Sequence, residues 1–485
     1  MSKSRDQHRF GDFQTPARLA EQAIRITKSY FPDARTIIEP ACGTGSFLRA
    51  AAAAYPRCKT VFGLDVNPTY VQSCRRSLPR ADSAKITATV GNFFNFNWMD
   101  YLGDVAGPML IIGNPPWVTT SDLGAISSAN HPRKQNINRL KGIDAVTGKS
   151  NFDISEWMLT EYLKWLDNSP GAFAVLCKTA VARKVLRYAH ANRVGVGRFR
   201  MYRIDAAAEF GVSVEACLFM GQSGSPKGYE CREYSALSAR KPERTIGYCE
   251  NILLSDVSLF KKHKGLAGAG EKVWRSGVKH DCAAVMELTR EGQRLVNGVG
   301  KNVNIEPDFL FPLLKSSDIG NGRTEDTRRF VLVTQRRTGD STSTIRAKAP
   351  RTWRYLVANK SRLDARASTI YRNRPPFSIF GVGDYTFAKW KVAISGFYKH
   401  LTFTPVGPLE DRPVIFDDTV YFLPCRTKKE CFALAKMLNS KPAREFYESM
   451  IFWSDKRPIT VEVLSRLSFT NLAKLLRIQK QRRHE

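Results

Sequence analysis

Thr36-Ile-Ile-Glu-Pro-Ala-Cys-Gly-Thr-Gly-Ser-Phe47 runs from a short apolar segment through two glycines into Leu48-Arg-Ala-Ala-Ala-Ala-Ala54. That order reads as strand, tight turn and helix. Further along, Thr60-Val-Phe-Gly-Leu-Asp65, Ile86-Thr-Ala-Thr-Val90, Pro108-Met-Leu-Ile-Ile-Gly113 and Ala172-Phe-Ala-Val-Leu-Cys177 read as four more strands. Helical stretches over Thr69–Ser77 and Phe152–Leu166 fall between them. Apolar strands separated by helices predict a parallel, doubly wound α/β sheet. Such a sheet binds ligands at the carboxyl ends of its strands, beside the point where strand order reverses.

With 485 residues, 43% of them hydrophobic and 25% charged, the chain can build more than one core. Lys and Arg outnumber Asp and Glu 75 to 45, a net charge of +30. A balance this basic points to a polyanionic partner, nucleic acid before membrane. No run approaches the roughly 20 apolar residues of a membrane helix. The start, Met1-Ser-Lys-Ser-Arg-Asp-Gln-His8, has no apolar signal core. The ten cysteines lack Cys-x-x-Cys spacing, so neither a metal site nor a disulfide framework is expected, and the chain reads as soluble, reduced and cytoplasmic. Residues 1–220 hold 28 Lys and Arg against 18 Asp and Glu, whereas residues 221–485 hold 47 against 27. Gly221-Gln-Ser-Gly-Ser-Pro-Lys-Gly228 reads as the linker, giving domains at 1–225 and 226–485. The second of these reads as mixed α and β, ending in a basic helix or tail over Asn471–Glu485.

Gly43 and Gly45 let the backbone turn sharply and approach a ligand without a Cβ in the way. A dinucleotide fingerprint needs a third glycine where this chain has Leu48, so a pyrophosphate site is poorly supported. Asp65 stands twenty residues after Gly45, where a carboxylate can hold both hydroxyls of a ribose. A nucleoside without a phosphate chain fits this pairing better than NAD.

The fourth strand ends in Asn114-Pro-Pro-Trp117. Two prolines fix extended backbone and carry no N–H. The Pro115 carbonyl and the Asn114 side-chain oxygen can then accept both hydrogens of a planar amino group and turn its lone pair toward an electrophile. Trp117 offers a ring face for stacking.

These motifs together resemble the gamma class of S-adenosylmethionine-dependent adenine-N6 DNA methyltransferases, over about the first 220 residues and more loosely beyond. The resemblance implies a Rossmann-like class I methyltransferase fold with a seven-strand sheet, followed by an α+β target-recognition domain. Gly11-Asp-Phe-Gln-Thr-Pro16 is similar to the class's N-terminal motif, with Thr15 near the methionine part of the cofactor. Glu39, Ala41, Cys42, Gly43 and Gly45 fall on the cofactor loop, Asp65 on the ribose acid, and Asp153 with Ile154 where the class closes the cofactor pocket. Asn92 replaces the usual Asp that holds the adenine amino group, with Phe93 beside the ring. Asn114, Pro115, Pro116 and Trp117 match the catalytic motif, with Trp for the commoner Tyr or Phe. Glu209-Phe210-Gly is similar to the later motif whose aromatic residue packs on the extruded base, so the adenine is expected between Trp117 and Phe210. No metal is required, and Cys425, after a proline, reads as structural rather than as a nucleophile.

Gln335–Arg374 contains eleven Lys and Arg with only Asp340 and Asp364 as acids, interleaved with Trp353, Tyr355 and Tyr371. It suits a surface meeting phosphates and base edges of double-stranded DNA, with Arg336, Arg337, Arg351 and Arg354 as candidates. Phe377-Ser-Ile-Phe380 and Trp390-Lys-Val-Ala-Ile-Ser395 have strand-like character, with a turn at Gly381 and Gly383; Asp384 is open between structural and base-reading roles. The cofactor motifs begin within fifteen residues of Met1, which leaves no room for a fused nuclease; a separate restriction nuclease in the same system is expected. Competing readings are adenine-N6 methylation of structured RNA, cytosine-N4 methylation of DNA, methylation of a protein glutamine amide, and a DNA-binding subunit with a degenerate cofactor fold.

Overall fold

The structure is a computed structural model that describes residues 13–79, 85–105, 107–118, 153–167, 169–224, 228–268 and 271–481. Gly11, Asp12, Phe152 and residues 482–485, which enter the expectations above, lie outside the described residues. The chain divides into two compact units, Met1–Ser258 and Leu259–Glu485.

In the first unit the five expected strands form as β1 (Thr36–Glu39), β2 (Thr60–Asp65), β3 (Lys85–Val90), β4 (Met109–Gly113) and β5 (Gly171–Lys178). Every residue of β1 and β4 is buried, as expected of strands covered on both faces. They pair in parallel in the order β5-β4-β1-β2-β3, so strand order reverses between β1 and β4. The carboxyl ends of β1, with Glu39, and of β4, with Gly113, therefore sit side by side. β7 (Ala216–Ser223) pairs antiparallel with both β5 and β6 (Val196–Ile204).

The sheet has ten strands rather than the expected seven: β8 (Cys231–Tyr234), β9 (Arg244–Cys249) and β10 (Ile252–Leu254) extend it from the β6 edge. The break foreseen at 225/226 thus falls before strands that are hydrogen-bonded into this sheet. Gly221 lies inside β7, where a Cβ would come within 2.5 Å of the Phe173 ring and 2.9 Å of Phe199. It is a close-approach glycine, and its resemblance to a linker residue is compositional only.

The flanking helices are α1 (Ala17–Tyr30), α2 (Ser46–Ala54), α3 (Pro68–Ser77), α4 (Trp98–Gly103), α5 (Ile154–Asp167), α6 (Thr179–Asn192) and α7 (Ala206–Phe210). α1 buries Leu19, Ala20, Ala23, Ile24 and Thr27, one stripe of a 3.6-residue period. α3 starts on Asn67, whose side chain accepts from Thr69 and Tyr70 N–H, with Pro68 in the first turn.

The second unit is mixed α and β. One sheet joins four strands in the order Arg275–Ser276, Val420–Cys425, Trp390–Ser395, Thr404–Val406; another joins six strands between Glu287 and Phe416. Its largest core gathers Met286, Leu288, Leu313, Phe330, Leu332, Ile345 and Leu356. Trp390–Ser395 is a strand as expected, whereas Phe377–Phe380 contributes only a bridge, Phe380 to Lys279. Gly381 turns with φ +71°; Gly383 is extended and precedes a short helix. The last described element is the basic helix Phe469–Gln481. Cys425 is buried beside Cys431. Among the described residues no helix is long and apolar enough to cross a membrane.

Candidate active site

The loop after β1 is shaped by its glycines. Gly43 has φ +49° and Gly45 φ +84°, conformations that L side chains rarely adopt. Its backbone is held from three sides: Cys42 N–H donates to Leu64 O (2.9 Å), Gly43 N–H to Asp65 Oδ2 (2.8 Å), and Thr44 N–H to Gln14 Oε1 (3.0 Å). The other Asp65 oxygen accepts from Asn67 N–H at 2.9 Å. The next residue, Val66, is 50% exposed, an apolar face at the carboxyl end of β2 that sequence reading passed over.

Glu39 is buried, and its Oε2 has no hydrogen-bond partner among the described residues. Burial, with Cys74 and Asp65 nearby, pushes its carboxyl well above the usual range. Gly113 lets β4 pass, since a Cβ there would stand 3.1 Å from Glu39 Cγ.

Beyond Gly113, Asn114 Nδ2 donates to the Phe13 carbonyl at 3.1 Å. That carbonyl demands a donor, so the amide is turned with Oδ1 the other way; Oδ1 is buried and has no partner among the described residues. Trp117 is anchored twice on the end of β5. Its Nε1 donates to Leu176 O (3.4 Å), and its own carbonyl accepts from Lys178 Nζ (2.8 Å). Lys178 also pairs with Asp153 Oδ2 at 2.7 Å, while Asp153 Oδ1 caps α5 through Ser155 N–H and Oγ.

Trp117 and Phe210 come together, though not as a slot. Their rings meet edge to face with centroids 5.2 Å apart at 75°, and Phe13 lies 5.9 Å from each. A flat base between two rings needs about 7 Å, twice a van der Waals contact. The structure therefore does not form the expected sandwich; Trp117 is core, and Phe210 is the half-buried ring. Phe210 ends the one-turn helix α7, capped by Asp205 and closed by Gly211 at φ +69°.

Asn92 Oδ1 accepts from Phe94 N–H at 2.9 Å. The Phe93 ring packs in an aromatic cluster with Trp98, Trp157, Tyr162 and Trp165. Thr15 and Ala41 are partly exposed, and Cys42 is buried.

Residues 2–182 match the N-6 DNA Methylase family. The Type II methyltransferase M.NspV of Nostoc sp. (strain ATCC 29411 / PCC 7524) is 42% identical over 469 residues, 96% of this chain and 98% of its own length. This chain belongs to that methyltransferase family. The Type IIL restriction–modification enzyme MmeI, solved in complex with DNA, shares the fold with a TM-score of 0.50 and 14% identity, over 92% of this chain and 63% of its own.

In this N-6 DNA methylase the four candidate arginines of the second unit differ in what holds them. Arg351 is committed: Nε reaches Glu306 Oε1 (3.1 Å), NH1 reaches Asn304 Oδ1 (2.8 Å), and Glu306 also takes the N–H groups that open the helix Pro350–Ala358. Arg337 pairs with Asp384 at 2.6 Å, both largely exposed. Arg336 lies 4.5 Å over the Phe387 ring, and Arg354 points from the same helix as Arg351 and is exposed. Phe13, Gln14, Val66 and Lys178 are residues of the first unit that sequence reading missed as site components. Only Phe13 and Gln14, inside the quoted N-terminal motif, carried any signal.

Proposed function

We propose that this chain methylates the N6 amino group of an adenine in double-stranded DNA, using S-adenosylmethionine, as the modification component of a restriction–modification system. The observation that carries the reading is Asn114: its nitrogen is spent on Phe13, and its buried oxygen is left for a donor beside a proline carbonyl.

The residues fit the cofactor. Two left-handed glycines give close backbone approach, Asp65 is aimed at the loop, and Val66 offers an apolar face. Thr15, Glu39, Ala41, Cys42, Gly43, Gly45, Asp65 and Asn92 would hold it, Phe93 through its backbone. When bound, S-adenosylmethionine supplies a methyl group on a sulfonium, already reactive toward an amine.

The chain's own contribution is placement. Asn114 Oδ1 and the Pro115 carbonyl accept the two N–H bonds of the amine and fix the direction of its lone pair. Pro116 keeps that carbonyl from turning, and Trp117 locks the segment to β5. Phe210 gives the extruded base a face to stack on. Positioning of this kind, with fixed dipoles around a charge-changing centre, carries most of the rate in such reactions. The second unit is proposed to read the target, with Arg336, Arg337 and Arg354 on phosphate and base edges. Its action is placed on cytoplasmic DNA, with a separate nuclease as the partner activity.

The test is transfer of labelled methyl to unmethylated DNA by wild type and Asn114→Ala, with nucleosides separated afterwards. Asn114-dependent N6-methyladenine supports the proposal. N4-methylcytosine, or label entering RNA or protein instead, overturns the assignment of target.

A further inference from the structure

The Asn114–Trp117 segment has an unusual anchoring problem. Pro115 and Pro116 have no N–H, so nothing in the middle of the segment can donate a hydrogen bond to the surrounding protein. Its position is set at its two ends. At one end Asn114 Nδ2 is fixed by Phe13. At the other, the Trp117 carbonyl accepts from Lys178 Nζ at 2.8 Å, and Val118 O accepts from Ile154 N–H at 2.9 Å.

Lys178 is the last residue of β5, and its side chain is only 25% exposed. Its ammonium is neutralised by Asp153, whose carboxylate is 7% exposed and otherwise spent on Ser155. A half-buried ion pair that donates to a backbone carbonyl is a charge-assisted bond, stronger and more directional than a neutral one. The neutralisation also matters to the chemistry proposed above. An amine taking up a methyl group becomes cationic, and an unpaired ammonium nearby would oppose that charge.

We propose that Lys178 and Asp153 form a positioning pair for methyl transfer: Lys178 fixes the Trp117 carbonyl and with it the Pro115 carbonyl, and Asp153 orients and neutralises Lys178 rather than contacting the cofactor. This rests on the methyltransferase reading, so wild-type activity is measured first; without it that reading fails, whatever the variants do.

The variants are Lys178→Met, Lys178→Arg, Asp153→Asn and the double variant Lys178→Met with Asp153→Asn. Each is scored for kcat, KM for DNA, affinity for S-adenosylhomocysteine by calorimetry, and thermal stability. Displacement of a reacting group by about 1 Å costs on the order of 10²-fold in rate. Lys178→Met is expected to lose kcat on that scale, with KM and S-adenosylhomocysteine affinity within a few-fold of wild type. Lys178→Arg, which restores a charged donor, should recover part of it. The double variant removes the unpaired buried carboxylate, so it recovers stability but not kcat. Should the stable double variant turn over at the wild-type rate, the positioning role is wrong. Loss of S-adenosylhomocysteine affinity in Asp153→Asn in step with its loss of rate would return Asp153 to the cofactor pocket and overturn the pair.

Discussion

Phe13 and Asn114, 101 residues apart, are joined by one hydrogen bond that decides which end of the Asn114 amide faces the site. Aspartate at 114 keeps the size of the side chain but sets a carboxylate oxygen against the Phe13 carbonyl, acceptor against acceptor. Asn114→Asp is therefore expected to fall in methyl transfer by roughly 10²–10³-fold, the cost of losing one preorganised contact at a reacting centre. Labelled-methyl assays read the rate and calorimetry the S-adenosylhomocysteine affinity, which should change far less. Near-normal turnover would remove Asn114 from the role given to it.

The two loop glycines should differ when replaced. A Cβ on Gly43 meets the far end of Gln14, a flexible side chain that can give way at the cost of its hydrogen bond from Thr44 N–H. On Gly45 it overlaps the sulfur of Cys74, which is fully buried. Both changes carry about 1–2 kcal/mol of left-handed backbone strain. Gly45→Ala should be the more destabilising in thermal melts, and adding Cys74→Ala should recover part of its loss. Equal melting of Gly43→Ala and Gly45→Ala would contradict this account.

Among the arginines, Arg354→Ala should weaken DNA binding about equally for all sequences and lower the salt-dependence slope by about 1, the signature of one lost phosphate contact. Arg351→Ala should instead cost up to about 1 kcal/mol of stability, as an exposed pair that also helps seat a helix. Fluorescence titrations at several salt concentrations separate the two. A slope unchanged in Arg354→Ala would place the DNA elsewhere.

Lys391 is buried in the second unit, its Nζ donating to Val414 O at 2.5 Å and lying 5.7 and 5.8 Å from the ring centroids of Phe416 and Phe422. Burial lowers its pKa to about 7, against about 10.4 in an unfolded chain. Between those values the unfolded chain holds a proton that the folded one lacks, so stability rises with pH across that window. Calorimetric melts should show this rise in wild type and a flatter profile in Lys391→Met, which should also melt higher than wild type below pH 7. A wild-type profile already flat from pH 7 to 10 would mean that the lysine stays charged.

Much of the first unit is legible in its sequence because its strands are apolar runs with turn residues between them. β1 to β5 need no knowledge of their partners. β6 escapes that reading: Val-Gly-Arg-Phe-Arg-Met-Tyr-Arg-Ile alternates with arginine and carries a bulge between Gly197 and Arg200. Gly221 misleads because a glycine that admits two phenylalanine rings and a glycine in a linker look alike in one dimension. The glycine loop and the Asn-Pro-Pro segment are local motifs and so are readable. Phe13, Gln14 and Lys178 gain their roles from partners 101, 30 and 61 residues away, which only folding supplies. Phe93 and Trp117 show the converse, aromatic residues in the expected places whose rings turn to the core.

The strands beyond residue 225 bear on how this enzyme can be dissected. β8 seals β6 by parallel pairing from Phe199–Cys231 to Tyr202–Tyr234, and β9 and β10 seal β8 in turn. A fragment ending where the motifs end would expose the β6 edge as a row of unsatisfied amides and carbonyls, a template for strand addition by a second copy. Such a fragment is expected to aggregate even with every catalytic residue present, and the smallest tractable catalytic piece extends to Ser258.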